Sequence, residues 1–168
     1  MPKSEFVWRE PNNDYPCTAH DNAEPSMVEW YTSRQAHPEL AAQLVRFLKR
    51  MRLLGHEPAV VQLYRSNSEQ IALWRKGRTT AGSIVTDALP WQSAHCHIEN
   101  DKGASMAFDI APKFNGQIYW PMDARTSRFW SDARDTGKML GLVWGATFNE
   151  PPRDFGHFQL STFKAIKP

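Results

Sequence analysis

Between His37 and Gly55 the chain carries an apolar stripe that only a helix can present to one side. Leu40, Leu44, Phe47, Leu48, Met51 and Leu54 recur at three- and four-residue steps, the spacing of a single helical face. Pro38 suits the first helical turn and Gly55 the C-terminal cap. Arg46, Lys49, Arg50 and Arg52 read as the solvated face opposite that stripe, not as a surface for membrane or nucleic acid. Such a helix needs a second layer to bury its stripe. The remaining chain offers short strands at "AVVQLY" (59–64), "SMAFDIAP" (105–112), "LVWGATF" (142–148) and "HFQLSTF" (157–163). Further helices are expected over 67–77, closed by Gly77, and over 124–140. Helices followed by short strands broken at Pro and Gly predict an α+β fold, a small antiparallel sheet flanked by helices. Residues 1–36, rich in Pro, Asn and Asp, are expected to form an irregular extension with a short helix around Ser26–Gln35. The domain proper then covers 37–168.

Composition narrows the functions open to such a fold. A chain of 168 residues, 41% hydrophobic, can bury one core without staples. A net charge of +2 is too weak for a nucleic-acid binder, whose affinity rests on a basic face. Seven Trp serve a core and also suit a polymer-binding groove. Cys17 and Cys96 match no zinc knuckle or redox motif and are expected as free thiols. "MPKSEFVWREPNNDYPC" contains no apolar run, so the chain is expected to be made in the cytoplasm without a signal peptide, and to insert into no membrane.

Chemistry concentrates in two places. In "SMAFDIAP", Met106, Phe108 and Ile110 face one way, while Ser105, Ala107 and Asp109 face the other. A carboxylate on a strand beside small residues is either solvated or held by a partner, because burying it unpaired is costly. In "RDFGHFQL", His157 and Gln159 share one strand face, and Asp154 lies three residues before His157. With His95 or His97 from "SAHCH", these residues supply two imidazoles and one carboxylate. That leaves Asp154 as a base. Three N/O ligands around an open position form the donor set of a catalytic zinc. His20, His37 and His56 lie outside these motifs and read as solvated or capping groups. Cys96 is not expected as a ligand, and "GRTTAGS" lacks the Lys and spacing of a phosphate loop.

The run "YRSNSEQIALWRKGRTTAGSIVTDA…SAH…AFDIAP…GLVWGA…DFGHFQL" resembles the zinc peptidases that include VanY-type D-alanyl-D-alanine carboxypeptidases and the L-alanyl-D-glutamate endopeptidases of phage endolysins, a fold shared with Hedgehog domains. It covers about residues 38–162. The resemblance implies a zinc site carried by the small sheet, with His95, Asp109 and His157 as metal ligands, Asp154 as the base and Arg65 as partner of the oxyanion. Gln70, Ser93 and Trp144 are implied to line the substrate site. The substrate implied is a peptidoglycan stem peptide. The chain is expected to act as a monomer on the cell wall after release from the cell, most simply as an L-alanyl-D-glutamate endopeptidase. A carboxypeptidase and a non-catalytic zinc-binding domain of the same fold are the alternatives.

Two departures from the family pattern stand out. His95 and Asp109 are fourteen residues apart where the family has seven, which leaves His97 as a competing ligand unless the insert bulges outward. Gln159 stands where the family commonly has Glu.

Overall fold

The computed structural model describes residues 25–148 and 153–165. Helix α1 (Pro25–Ser33) leads into α2 (Pro38–Leu53), and β1 (Pro58–Gln62) precedes α3 (Asn67–Arg75). A long loop with two 3₁₀ turns, Pro90–Gln92 and Ala94–Cys96, then reaches β2 (Ile98–Glu99), β3 (Lys102–Gly103), β4 (Ala107–Phe114) and β5 (Gln117–Ile118). Helix α4 (Ser127–Met139), β6 (Leu142–Trp144), a 3₁₀ turn at Gly145–Thr147 and β7 (His157–Leu160) complete the order. The α+β expectation is borne out. β1, β4, β7 and β6 lie side by side in that order, all antiparallel, with β5 paired to the far end of β4.

The stripe on α2 does what its spacing predicts. Leu40, Leu44, Phe47, Leu48 and Met51 are all fully buried, while Leu54 is half-buried at the helix end. His37 caps the N-terminus, its Nδ1 accepting from Glu39 N–H at 3.3 Å. Gly55 follows at φ +85°, a left-handed conformation that glycine adopts without steric cost. The stripe meets the apolar face of the sheet. Phe47 packs 5.3 Å from Phe108 of β4 and 4.8 Å from Phe158 of β7, ring centre to ring centre. The helix expected near Ser26–Gln35 forms and packs on α2, so Tyr31 and Ala36 join the core. The rest of the 1–36 reading, residues 1–24, falls outside the described residues.

The insert between His95 and Asp109 does bulge outward, as a small hairpin. β2 and β3 pair through Ile98–Gly103 and Glu99–Lys102, and Asn100 and Asp101 turn the chain at positive φ. Its base is clamped. A Cβ added at Gly103 would lie 2.5 Å from the Tyr64 ring, so only glycine lets the ribbon lie on that tyrosine. β2–β3 and β5 are too short to leave a periodic signal in the sequence.

One close approach fixes how α4 docks. A Cβ at Gly137 would meet the Phe158 ring at 2.5 Å, and Phe158 is held by Phe47, Phe108 and Trp144. Gly137→Ala should therefore destabilise by about 1–3 kcal/mol through overpacking, despite a helix-propensity gain of about 1 kcal/mol. Urea unfolding checks this, and a raised midpoint would contradict the docking described.

Candidate metal centre

The face of the sheet opposite α2 carries the polar residues, and strand register brings two of them together. Asp109 of β4 pairs directly with His157 of β7. Residues directly opposite on neighbouring strands hold their side chains within contact distance on one face. On the other side of β4, the pairing with β1 shifts register between Val60 and Gln62, opposite Asp109. The third member, His95, arrives from the 3₁₀ turn at Ala94–Cys96, whose mouth is tied to β4 by the Met106 N–H to Ala94 carbonyl bond at 2.9 Å.

Three donor atoms form a nearly equilateral triangle. His95 Nε2 lies 3.1 Å from Asp109 Oδ1 and 3.2 Å from His157 Nδ1, and the last edge, His157 Nδ1 to Asp109 Oδ1, is 3.0 Å. The outward nitrogens decide what these atoms carry. His95 Nδ1 sits 2.6 Å from the Leu63 carbonyl, which can only accept, so Nδ1 bears the hydrogen and Nε2 a lone pair. His157 Nε2 lies 2.9 Å from Gln159 Oε1, which leaves the lone pair on Nδ1. A carboxylate oxygen and two imidazole lone pairs thus converge with no hydrogen between them. A shared cation resolves that repulsion, and the spacing suits one. Ligands at 2.0–2.1 Å around a tetrahedral zinc stand roughly 3.3 Å apart. The donor set fits the metal.

Electrostatics agree. Burial works against the charge on Asp109, yet the neighbouring His95 and His157 imidazoles hold its carboxyl far below the usual carboxylate range. Burial also opposes charge on His157, but Asp109 outweighs it and raises the imidazole above its ordinary value.

The triangle floors a cleft of about 810 Å³, whose walls include Arg65, Ser93, Asp154 and Gln159. Asp154 follows the turn at Gly145. Its Oδ1 accepts from Gly156 N–H at 3.1 Å, and desolvation, then the nearby Asp109 charge, raises its pKa above the ordinary aspartate value. Arg65 follows β1. Its Nη1 donates to Gln70 Oε1 at 2.7 Å, and its Nη2 lies 4.0 Å from Asp109 Oδ2.

His97 has no place in the triangle. It stands at the root of the hairpin, where its carbonyl accepts from Ala104 N–H at 2.9 Å. Cys96 is a buried free thiol, with Sγ turned to Gln70 Oε1 at 4.0 Å, and burial raises its pKa. Cys17 lies outside the described residues. Two implied substrate contacts sit elsewhere. Gln70 is completely buried and spends its amide on Arg65, the Ala88 carbonyl (2.7 Å) and Thr86 (3.4 Å), so it braces the arginine and the cleft wall. Trp144 stacks on Phe158 and donates from Nε1 to the Phe155 carbonyl at 2.8 Å, lining a separate pocket with Trp130 and Phe155. Ser93 is buried in the cleft wall.

Two contributors escaped sequence reasoning. The Leu63 carbonyl orients His95 through a main-chain atom, which no residue type betrays. Gly145 admits the loop that carries Asp154: a Cβ there would lie 2.5 Å from the Asp154 carbonyl and 2.8 Å from His157 Cβ. Its one sequence signal is a glycine straight after a strand.

Comparison with known proteins bears on this geometry. The peptidoglycan L-alanyl-D-glutamate endopeptidase CwlK of Bacillus subtilis (strain 168) is 29% identical over 111 residues, 63% of this chain and 62% of CwlK. The chain thus spans less than two thirds of that relative's length. The crystal structure of the Serratia marcescens L-Ala D-Glu endopeptidase ChiX superposes with a TM-score of 0.50 at 20% identity, covering 89% of this chain and 94% of ChiX. The chain shares the endopeptidase fold. The resemblance carried by the motifs is borne out, although no family model matches. Among the described residues no helix is long and apolar enough to cross a membrane.

Zinc at 100 times its dissociation constant should stabilise the protein by about 2.7 kcal/mol, since it binds the folded chain preferentially. Thermal melts with zinc and with chelator check this. His95→Ala should abolish the zinc-dependent shift and His97→Ala should keep it; the reverse pattern would assign the wrong histidine here.

Proposed function

We propose that the chain is a zinc-dependent peptidase that hydrolyses peptidoglycan stem peptides, cutting the L-alanyl-D-glutamate bond. The observation that carries this reading is the meeting of three lone-pair donors beside Asp154 and Arg65 in one open cleft. A purely structural metal site has no use for a neighbouring base. His95, Asp109 and His157 hold the ion. Bound there, zinc supplies a water of lowered pKa and polarises the scissile carbonyl.

The chain's own residues do the rest. Asp154 accepts the proton of the attacking water, and a pKa raised by desolvation makes its carboxylate a stronger base than an exposed aspartate. Carrying that proton, it then becomes the acid that protonates the leaving amine. Arg65 faces the negative charge that grows on the carbonyl oxygen, and Gln70 keeps its guanidinium turned into the cleft. One chain contains every one of these groups, consistent with a monomer acting on the wall.

Support for the bond assignment comes from the two relatives, both named as endopeptidases for this linkage. Digestion of purified murein followed by mass spectrometry tests it. Stem peptides released with a new amino-terminal D-glutamate are expected; free D-alanine as the sole product would make the protein a carboxypeptidase. Asp154→Asn should lower kcat by roughly 10²–10⁴-fold while zinc content stays at the wild-type level. Unchanged turnover in that variant would remove Asp154 from the mechanism.

A further inference from the structure

We infer that Gln159 is the positioning residue for His157: its amide fixes the tautomer and ring orientation with which that histidine meets the metal. The inference rests on the metal-centre reading above and goes beyond it, because Gln159 touches no reacting atom.

Gln159 lies two residues past His157 on β7, and side chains two apart on a strand share a face. Its Oε1 is 2.9 Å from His157 Nε2. Because an amide oxygen only accepts, the ring hydrogen stays on Nε2, and the lone pair on Nδ1 is aimed at Asp109 Oδ1 and His95 Nε2. The launch point is rigid. On β7, between β4 and β6, Gln159 pairs with Ala107 on one side and Val143 on the other. A metal-ligating histidine depends on such an outer partner for its orientation.

The two histidines differ in how that partner is encoded. His95 is oriented by the Leu63 main-chain carbonyl, which no substitution at Leu63 removes. His157 is oriented by a side chain, so a single replacement can release it. Asp109 and Asp154 bring two carboxylates to the cleft, and Gln159 accepts the imidazole hydrogen as an uncharged group.

Zinc affinity, measured on the purified full chain by competition with a chromogenic chelator at one fixed pH, tests the assignment. Gln159→Met keeps the side-chain length and removes the amide; it should weaken zinc binding roughly 10–100-fold. Gln159→Asn keeps the amide but withdraws it by one methylene, and should weaken binding comparably. Gln159→Glu restores a stronger, charged acceptor and should bind at least as tightly as the wild type. Circular dichroism confirms that each variant is folded. If the Met and Asn variants hold zinc as tightly as the wild type, or if the Glu variant is as weak as they are, the role assigned to Gln159 is wrong. A wild-type chain that binds no zinc would instead refute the metal centre, a different and recognisable failure.

Discussion

The antiparallel pairing of β4 with β7 is the constraint on which the site depends. It sets Asp109 directly across from His157, and a slip by one residue would turn one of them into the core and the other out of reach. What pins the register is apolar. Phe108 and Phe158 are themselves a cross-strand pair, stacked at 5.7 Å and pressed on Phe47 from α2. The helix stripe thus buries the neighbours of Asp109 and His157, and the aromatic contact that stabilises the core also aligns the polar face. Each strand serves both layers because its side chains alternate.

The polar side is assembled at a cost that the fold accepts. Three lone pairs about 3 Å apart repel one another, and each imidazole is prevented from turning its hydrogen inward by an acceptor behind it. The same acceptors that orient the rings prevent the cluster from relaxing into an ordinary hydrogen-bonded network. A site arranged in this way selects for positive charge at its centre. Arg65, 4.0 Å from the carboxylate, lines the same cleft and is braced there by Gln70.

Much of this was readable in the residues. The stripe on α2, the alternation in β4 and the helix ends at Gly55 and Gly77 all follow from spacing and residue type; the residues alone left His95 and His97 as alternatives, the family resemblance favoured His95, and His95 is the one that meets Asp109 and His157. What stayed hidden has a common physical character. The Leu63 carbonyl belongs to the main chain, which every residue shares. Gly145 matters because of how closely another segment passes, a tertiary distance. Gln70 and Trp144 carry side chains suited to substrate contact, yet local packing committed both to structural partners, Gln70 to Arg65 and the cleft wall, Trp144 to the back of the Asp154 loop. Residue type shows what a group is able to do; the neighbours determine which capacity is used.

The outward hairpin between His95 and Asp109 carries a lesson of its own. Doubling a loop costs only about 0.6 kcal/mol in closure entropy, and here the additional length is clamped at its base by Gly103 on Tyr64 and turned away from the cleft. The connection therefore behaves as an expansion joint: segments can be grafted at Asn100 and Asp101 while the two ends that matter stay where the sheet and the 3₁₀ turn hold them. A scaffold with such a joint can gain accessory surface beside its reactive centre without renegotiating the geometry of that centre.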